Sequence, residues 1–272
     1  GYYLKQARSL NWIADFRDPW TTIGYHKKLK LTSSSEEKHK KLESDVLNAA
    51  DKIIVTSKTT KQEFQNITCQ PIQVITNGFD NVEETNFMLD SKFTISHIGS
   101  LLSGRNPIKL WKVLSELVRS NTDFKNKLCI RFVGVVSNEI LATLKDLGLY
   151  EFIEIVGYVS HQEALAYQKT SQILLLVEID SQDTIGIIPG KLFEYMAAKR
   201  PILGIGPKNW EVASIVEETK TGHIFDHSND IALKNVLLKW FEQFQVGKLQ
   251  IDSNAIEQYS RRELTRKLAE YI

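Results

Sequence analysis

The sequence predicts an α/β protein built on a doubly wound, parallel, Rossmann-like sheet. From residue 93 onward, short apolar runs alternate regularly with segments of helical length. This alternation implies right-handed crossovers between parallel strands. A glycine also follows three of the predicted strands directly, at Gly99, Gly134 and Gly157. Ligands of such sheets bind beyond the carboxyl ends of the strands, so these turns mark the edge where a ligand is expected.

Six strands and seven helices are predicted in this part of the chain. The strands lie near residues 93–98, 128–133, 152–156, 172–178, 202–205 and 223–225. The helices lie near 107–120, 138–147, 161–170, 190–199, 209–218, 229–246 and 254–269. Asn106 is expected to cap the first helix, ahead of Pro107. Ser160 and Glu163 have the spacing of a capping box at the third helix.

The first 80 residues predict the tail of a second Rossmann-like domain. Strands are expected at 11–16, 52–56 and 72–76, with an irregular stretch at 20–33. A capping box from Ser34 to Glu37 predicts a helix reaching about Ala50, and Ser57 is expected to cap a helix through Phe64.

The predicted organisation follows from these elements. Residues 1–80 are the last part of a first domain, 81–92 form a polar linker, and 93–250 form the second domain. Residues 251–272 are a helix that packs back on the first domain. The opening stretch GYYLKQARSL is typical of the end of a helix, so we expect the chain to be part of a longer protein.

Composition restricts the classes of partner and compartment. The chain has 272 residues, with 34 basic and 33 acidic side chains and a formal charge of +1, which gives no reason to expect nucleic acid. Cys69 and Cys129 lack metal-binding spacing and favour a reducing, cytoplasmic compartment. The longest apolar run, 173–177, falls far short of the roughly 20 residues that span a bilayer.

The stretch from Thr184 to Pro207 carries the predicted chemistry. Pro189 and Gly190 precede a helix whose first N–H groups lack partners and attract phosphate. Gly190 lets a phosphate approach the backbone, Lys191 adds a positive charge, and Glu194 shares their helix face, where it can accept hydrogen bonds from ribose hydroxyls. The alternative is a surface lysine–glutamate pair on an ordinary amphipathic helix.

Two further loops follow strand ends. Arg105 follows the strand near 93–98 and can form a forked contact with phosphate oxygens, although an exposed loop arginine is the alternative. Glu178, Asp180 and Asp183 follow the fourth strand and could hold a metal or sugar hydroxyls. A solvated acidic loop is the favoured interpretation of these three.

Five segments resemble the two-Rossmann-domain (GT-B) glycosyltransferases that use nucleotide sugars, most closely glycosyltransferase family 4. They are WIADFRDPW from residue 12, ADKIIVTS from 50, VITNGFD from 74, HIGSLLSGR from 97 and IPGKLFEYMAAKRPIL from 188. The resemblance covers nearly the whole chain, although most of the family's N-terminal domain is missing. The last two segments are the most specific.

The resemblance implies a role for each matching position. Arg105 and Lys191 are the catalytic cations that neutralise the diphosphate, Glu194 holds the ribose, and no metal or other cofactor is required. The implied donor-binding residues are Gly99, Arg105, Gly134, Tyr158, Val159, Gly190, Lys191 and Glu194. Many family members have a glutamate eight positions before Glu194, where this chain has Gly186. The contact to the donor sugar is then missing, or comes from Asp180 or Asp183.

The implied function is transfer of a sugar from a nucleoside-diphosphate sugar to a glycan or lipid-linked acceptor, with retention at the anomeric carbon. A cell-surface polysaccharide is the product class that the family suggests. A lipid-linked acceptor would bring the protein to the inner face of a membrane as a peripheral contact. This chain alone is expected to transfer nothing. The alternatives are a non-catalytic nucleotide-sugar-binding module and a GT-B-fold nucleotide-sugar epimerase.

Overall fold

The computed structural model describes residues 1–80 and 87–272 and shows two parallel sheets. The strands of the first sheet, side by side in chain order, are β1 (Ile13–Phe16), β2 (Lys52–Val55) and β3 (Ile72–Val74). The three strands predicted in this region are therefore confirmed, each slightly shorter than predicted. Residues 81–86 of the predicted linker lie outside the described residues.

Four helices accompany the first sheet. They are α1 (Tyr2–Arg8), α2 (Gly24–Lys27), α3 (Ser33–Ala49) and α4 (Lys58–Gln65). Ser57 caps α4 as predicted, because its hydroxyl accepts from the Thr60 N–H at 3.1 Å. The capping box predicted from Ser34 to Glu37 is wrong. Thr32 takes the extended cap conformation instead and accepts from the Ser35 N–H, so α3 begins earlier.

The second sheet has six parallel strands. They are β4 (Phe93–Ile98), β5 (Leu128–Val133), β6 (Ile153–Gly157), β7 (Ile173–Val177), β8 (Ile202–Gly206) and β9 (Gly222–Asp226). Their spatial order is β6-β5-β4-β7-β8-β9. The chain enters at the centre, winds outward to β6, and then returns to β7 on the other side of β4. The predicted doubly wound fold is confirmed.

Helices cover both faces of this sheet. They are α5 (Ile108–Ser120), α6 (Thr122–Lys127), α7 (Asn138–Asp146), α8 (His161–Thr170), α9 (Lys191–Ala197), α10 (Glu211–Thr219) and α11 (Asp230–Gln245). The last helix of the chain is α12 (Arg261–Tyr271). The sequence did not predict α6. The predicted cap Asn106 is wrong, because its amide binds the Trp111 indole N–H and the Thr143 hydroxyl. The last helix begins at 261, not 254, because Ser260 caps it.

Two apolar clusters lie on the two faces of the second sheet. Along β7, Ile173, Leu175 and Val177 belong to the cluster with α5 and α11, whereas Leu174 and Leu176 belong to the cluster with α9 and α10. Successive side chains of a strand point to opposite faces, so one five-residue strand serves both clusters. This double burial explains why the strand is apolar throughout.

Helix α12 packs on the first sheet. Leu264 lies with Ile54 and Ile75 in one apolar cluster, and the Tyr271 hydroxyl donates to the Pro71 carbonyl at 2.7 Å. The domain boundaries proposed from the sequence stay a prediction. Within residues 1–80 and 87–272, no helix combines the length and the apolar character that crossing a membrane requires.

Candidate active site

Glycine turns form the floor of the candidate site. Gly99 and Gly134, at the ends of the neighbouring strands β4 and β5, have φ of 108° and 114°. A side chain disfavours this conformation, and a Cβ on Gly134 would lie 2.9 Å from the Gly99 carbonyl oxygen. The N–H of Gly134 donates to the Gly157 carbonyl at 2.6 Å, which extends the floor to β6. The strand-end turns that the sequence indicated therefore lie side by side.

Arg105, in the loop that follows β4, is held by Glu178. Its Nε donates to Glu178 Oε1 at 3.1 Å, and its Nη2 donates to Oε2 at 3.4 Å. The Glu178 side chain is 2% exposed and the Arg105 side chain 35%. The sequence favoured a solvated loop for Glu178. The structure shows that this interpretation is wrong, because the side chain is buried. Its carboxylate can be buried because the guanidinium and the Ile179 N–H both donate to it.

Lys191 is the first residue of α9 and points back toward β4. Its Nζ lies 3.3 Å from Nε2 of His97, a residue of β4 that is almost fully buried. A Cβ on Gly99 would stand 2.9 Å from the same Nζ, so the glycine also leaves room for the ammonium group.

Charges around Lys191 set its protonation. Burial and the Arg105 guanidinium lower the pKa of Lys191 to about 8, against the opposing effect of Glu178 and Glu194. Arg105 and Glu194 are therefore both close enough to Lys191 to influence its charge. At neutral pH Lys191 therefore remains mostly charged, and the site holds two cations.

Helix α9 is fixed by a buried tyrosine. The Tyr195 hydroxyl accepts from the Ile98 N–H at 3.0 Å, which attaches the helix to the end of β4. Burial raises the pKa of Tyr195, so it stays protonated. One residue earlier, Glu194 accepts from Gln168 Nε2 at 2.9 Å. Because Gln168 is buried in α8, its amide group holds this carboxylate in a fixed orientation.

The remaining predicted positions lie around this centre. Tyr158 directly follows β6 and is 93% exposed, so its ring is free to meet a ligand. Val159 is partly buried against the cluster on the α9 face. Gly190 adopts helical angles, and no described atom lies within 4 Å of the Cβ that a larger residue would place there. A small side chain at position 190 would therefore fit without a clash.

The acidic loop before α9 has different surroundings at each position. Asp183 pairs with Lys27 at 2.6 Å, and Asp180 is exposed. Gly186 lies against α4, where its Cβ would stand 2.7 Å from Thr59 Cβ. In the described part of the chain, no three acidic, histidine or cysteine side chains converge where a metal ion could be held.

Two residues of the site were not identified from the sequence. His97 stands in the strand FTISHI. Its position as an ionisable residue two places before a strand-end glycine is the sequence signal that could have identified it. Gln168 gave no signal, because a glutamine late in an amphipathic helix is usually a surface residue.

No protein-family model matches the sequence, and no curated protein does. Solved structures do match. Sucrose-phosphate synthase from Thermosynechococcus elongatus superimposes with a TM-score of 0.65 at 14% identity, over 100% of this chain and 69% of that chain. HepE from Anabaena in complex with UDP-glucose gives 0.69 at 15% identity, over 100% and 74%.

A third solved structure extends the likeness. WaaG, a glycosyltransferase involved in lipopolysaccharide biosynthesis, gives a TM-score of 0.65 at 14% identity, over 99% of this chain and 80% of that chain. At such identities the likeness shows the fold alone, and membership of glycosyltransferase family 4 stays a prediction. The chain has the fold of GT-B glycosyltransferases.

Proposed function

We propose that this chain binds a nucleoside-diphosphate sugar and provides the donor side of a glycosyltransferase. The observation that carries the proposal is the closeness of Arg105 and Glu194 to the Lys191 ammonium group, which lies beside the Gly99 turn. Two cations there suit two linked phosphates, and a carboxylate nearby suits the hydroxyls of the adjoining ribose. The acceptor is a glycan or a lipid-linked sugar. Retention, this acceptor class and a peripheral membrane contact rest on the family resemblance.

In this proposal, Arg105 and Lys191 stabilise the leaving group of the transfer reaction. When the glycosidic bond to the donor breaks, the nucleoside diphosphate leaves with its negative charge increased. Arg105 presents N–H groups in a fixed plane, and Lys191 supplies a compact charge. Since both are held before the ligand arrives, little reorganisation is needed at that moment. In this mechanism the two side chains perform the neutralisation and no metal is required.

Uridine is the first base to test. The HepE structure is a complex with UDP-glucose. In this chain the base would lie over the floor at Gly134, with the exposed ring of Tyr158 beside it. Aromatic stacking accepts any base, so this part of the site does not by itself select uridine.

Gly186 favours a second candidate, a non-catalytic nucleotide-sugar-binding module. The contact of Gly186 with Thr59 leaves no space for the glutamate that many family members place here. Asp183 is already paired with Lys27, which leaves Asp180 as the exposed acid of this loop. A binding module would take up the nucleotide sugar and release it unchanged, whereas an epimerase would alter the sugar. Product analysis separates both of these candidates from a transferase.

Calorimetric titration with UDP, GDP and ADP tests the site itself. We expect one of them to bind, and Lys191→Met or Arg105→Gln to weaken it at least 10-fold, because a charge-assisted hydrogen bond contributes about 1.5–3 kcal/mol. Lys145→Met and Arg119→Gln remove exposed cations elsewhere and serve as matched controls. Binding of none of the three nucleotides, or equal binding by all variants, contradicts the proposal.

A further inference from the structure

The ammonium group of Lys191 has competing partners. Glu178 and Glu194 attract it, Arg105 repels it, and His97 contacts it at 3.3 Å. An ion pair with either carboxylate would neutralise Lys191 and draw it away from a phosphate. In the structure, the Lys191 ammonium group is instead hydrogen-bonded to the imidazole ring of His97.

The hydrogen-bond partners of His97 define its tautomer. Nδ1 lies 3.0 Å from the Leu175 carbonyl oxygen, which can only accept, so Nδ1 carries the proton. Burial first, and then Lys191, lower the pKa of His97 to about 3, although the Leu175 and Ser100 carbonyls oppose the shift. The ring is therefore neutral. Its Nε2 lone pair faces Lys191 and accepts one of the ammonium hydrogens.

We propose that His97 is a positioning residue: its Nε2 holds the Lys191 ammonium over the glycine floor and keeps it from closing onto Glu178 or Glu194. The role rests on the proposed function, since the positioned lysine is the one that meets the diphosphate. Since an ammonium group has three N–H donors, two of them remain for a ligand.

A neutral acceptor suits this task better than a carboxylate. An imidazole nitrogen orients the ammonium group without cancelling its charge, whereas a glutamate in the same place would neutralise it. The absence of a side chain on Gly99 belongs to the same arrangement, because a Cβ there would crowd Nζ. The hydrogen bond to His97 and the space left by Gly99 thus define one position for the Lys191 ammonium group.

Two amide substitutions separate the hydrogen bonds of His97. Asn at 97 reaches only as far as Nδ1, so His97→Asn keeps the donor to the Leu175 carbonyl and loses the acceptor. His97→Gln is longer and places an amide oxygen near the position of Nε2. We expect His97→Asn to weaken UDP binding by the full chain about 10-fold, or about 1.4 kcal/mol, and His97→Gln by less than about threefold.

The pH profile gives a readout that a merely structural role does not change. In the unchanged chain, affinity for UDP is expected to fall as the pH rises through about 8, where Lys191 loses its proton. His97→Asn frees the lysine to pair with Glu178 or Glu194, which stabilises the charged form and moves this midpoint upward. His97→Gln leaves the midpoint in place. His227, whose Nε2 lies 3.2 Å from the Glu178 carbonyl oxygen, is a further titratable group beside this network and is unchanged in all variants.

The outcomes are distinguishable. If the unchanged chain binds none of UDP, GDP and ADP, the proposed function fails and the role of His97 in it fails too. If the unchanged chain binds, and His97→Asn binds equally well with the same midpoint, the proposal for His97 alone is overturned. Thermal unfolding shows that each variant is folded. If His97→Asn does not fold, a His97→Gln variant with 10-fold weaker binding overturns the proposal, and one with retained binding and midpoint supports it.

Discussion

The carboxylate of Glu211 accepts hydrogen bonds from both the N–H and the hydroxyl of Thr59, at 2.9 and 2.8 Å. It also accepts from the Lys58 N–H at 2.7 Å. These N–H groups are the first of α4, beside the first sheet, whereas Glu211 is the first residue of α10, beside the second. A side chain from one half of the chain therefore caps a helix of the other.

We expect Glu211→Ala to destabilise the chain by about 1–2 kcal/mol, because the first N–H groups of α4 lose their acceptor. Urea unfolding followed by circular dichroism measures the change. Glu217→Ala alters an exposed glutamate of the same helix and is the matched control. Equal unfolding midpoints for the two variants would show that the cap carries no stability.

Gly186→Glu introduces the residue that many members of the resembled family have at this position. We expect this substitution to destabilise the chain. Its Cβ would stand 2.7 Å from Thr59 Cβ and 3.2 Å from Ser57 Oγ, so the loop must move away from α4. Overpacking of this kind destabilises by about 1–3 kcal/mol. Thermal unfolding is the measurement, with Gly190→Ala as the control because its Cβ meets open space. A Gly186→Glu chain as stable as the unchanged one would show that this contact yields easily.

Lys191→Met is expected to be more stable than the unchanged chain at pH 7. The folded chain holds the pKa of Lys191 near 8, below its usual 10.5, so burial of the charged form opposes folding below pH 8. Between pH 8 and 10.5 the unfolded chain binds more protons, and stability of the unchanged chain rises with pH. The advantage of methionine should therefore shrink across this window.

Urea unfolding at pH 7 and pH 10 tests the lysine prediction, with Lys145→Met as the control for an exposed lysine. A Lys191→Met advantage that is constant with pH would mean that Lys191 titrates near its usual value. If methionine is destabilising at pH 7, the ammonium group is better solvated than its burial suggests.

Glu194→Gln should weaken the binding of UDP about 10-fold, because the carboxylate loses its charge-assisted hydrogen bonds to ribose hydroxyls. The binding of 2′,3′-dideoxyuridine diphosphate, which lacks those hydroxyls, should change little. Calorimetric titration of both ligands against both chains measures the difference. If the two ligands lose affinity equally, Glu194 acts on the site as a whole and does not recognise the ribose.

Several elements could be predicted because their signals are local. The run ILLLV is short and wholly apolar, FTISHI is short and ends just before Gly99, and both are strands. Ser57 and Ser160 cap helices as predicted, since a hydroxyl can reach the third N–H without help from the fold. Helix α6 was missed because TDFKNK is mostly polar, and its stability comes from the buried ring of Phe124.

The predicted site residues are marked by their position in the sequence, whereas the missed residues depend on contacts between distant segments. Gly99, Arg105, Lys191 and Glu194 stand next to strand and helix ends, so their position along the chain already indicated them. The role of His97 depends on a carbonyl of β7 and a lysine of α9, far away in the sequence. The sequence predicted Glu178 to be a solvated acid, because the arginine that pairs with it lies 73 residues earlier.

A crystal structure of this chain with UDP tests the central claim most directly. The account predicts phosphate oxygens within hydrogen-bonding distance of Lys191 Nζ and the Arg105 guanidinium, with a ribose hydroxyl on the Glu194 carboxylate. A nucleotide seated elsewhere, or one whose phosphates meet neither cation, would contradict it.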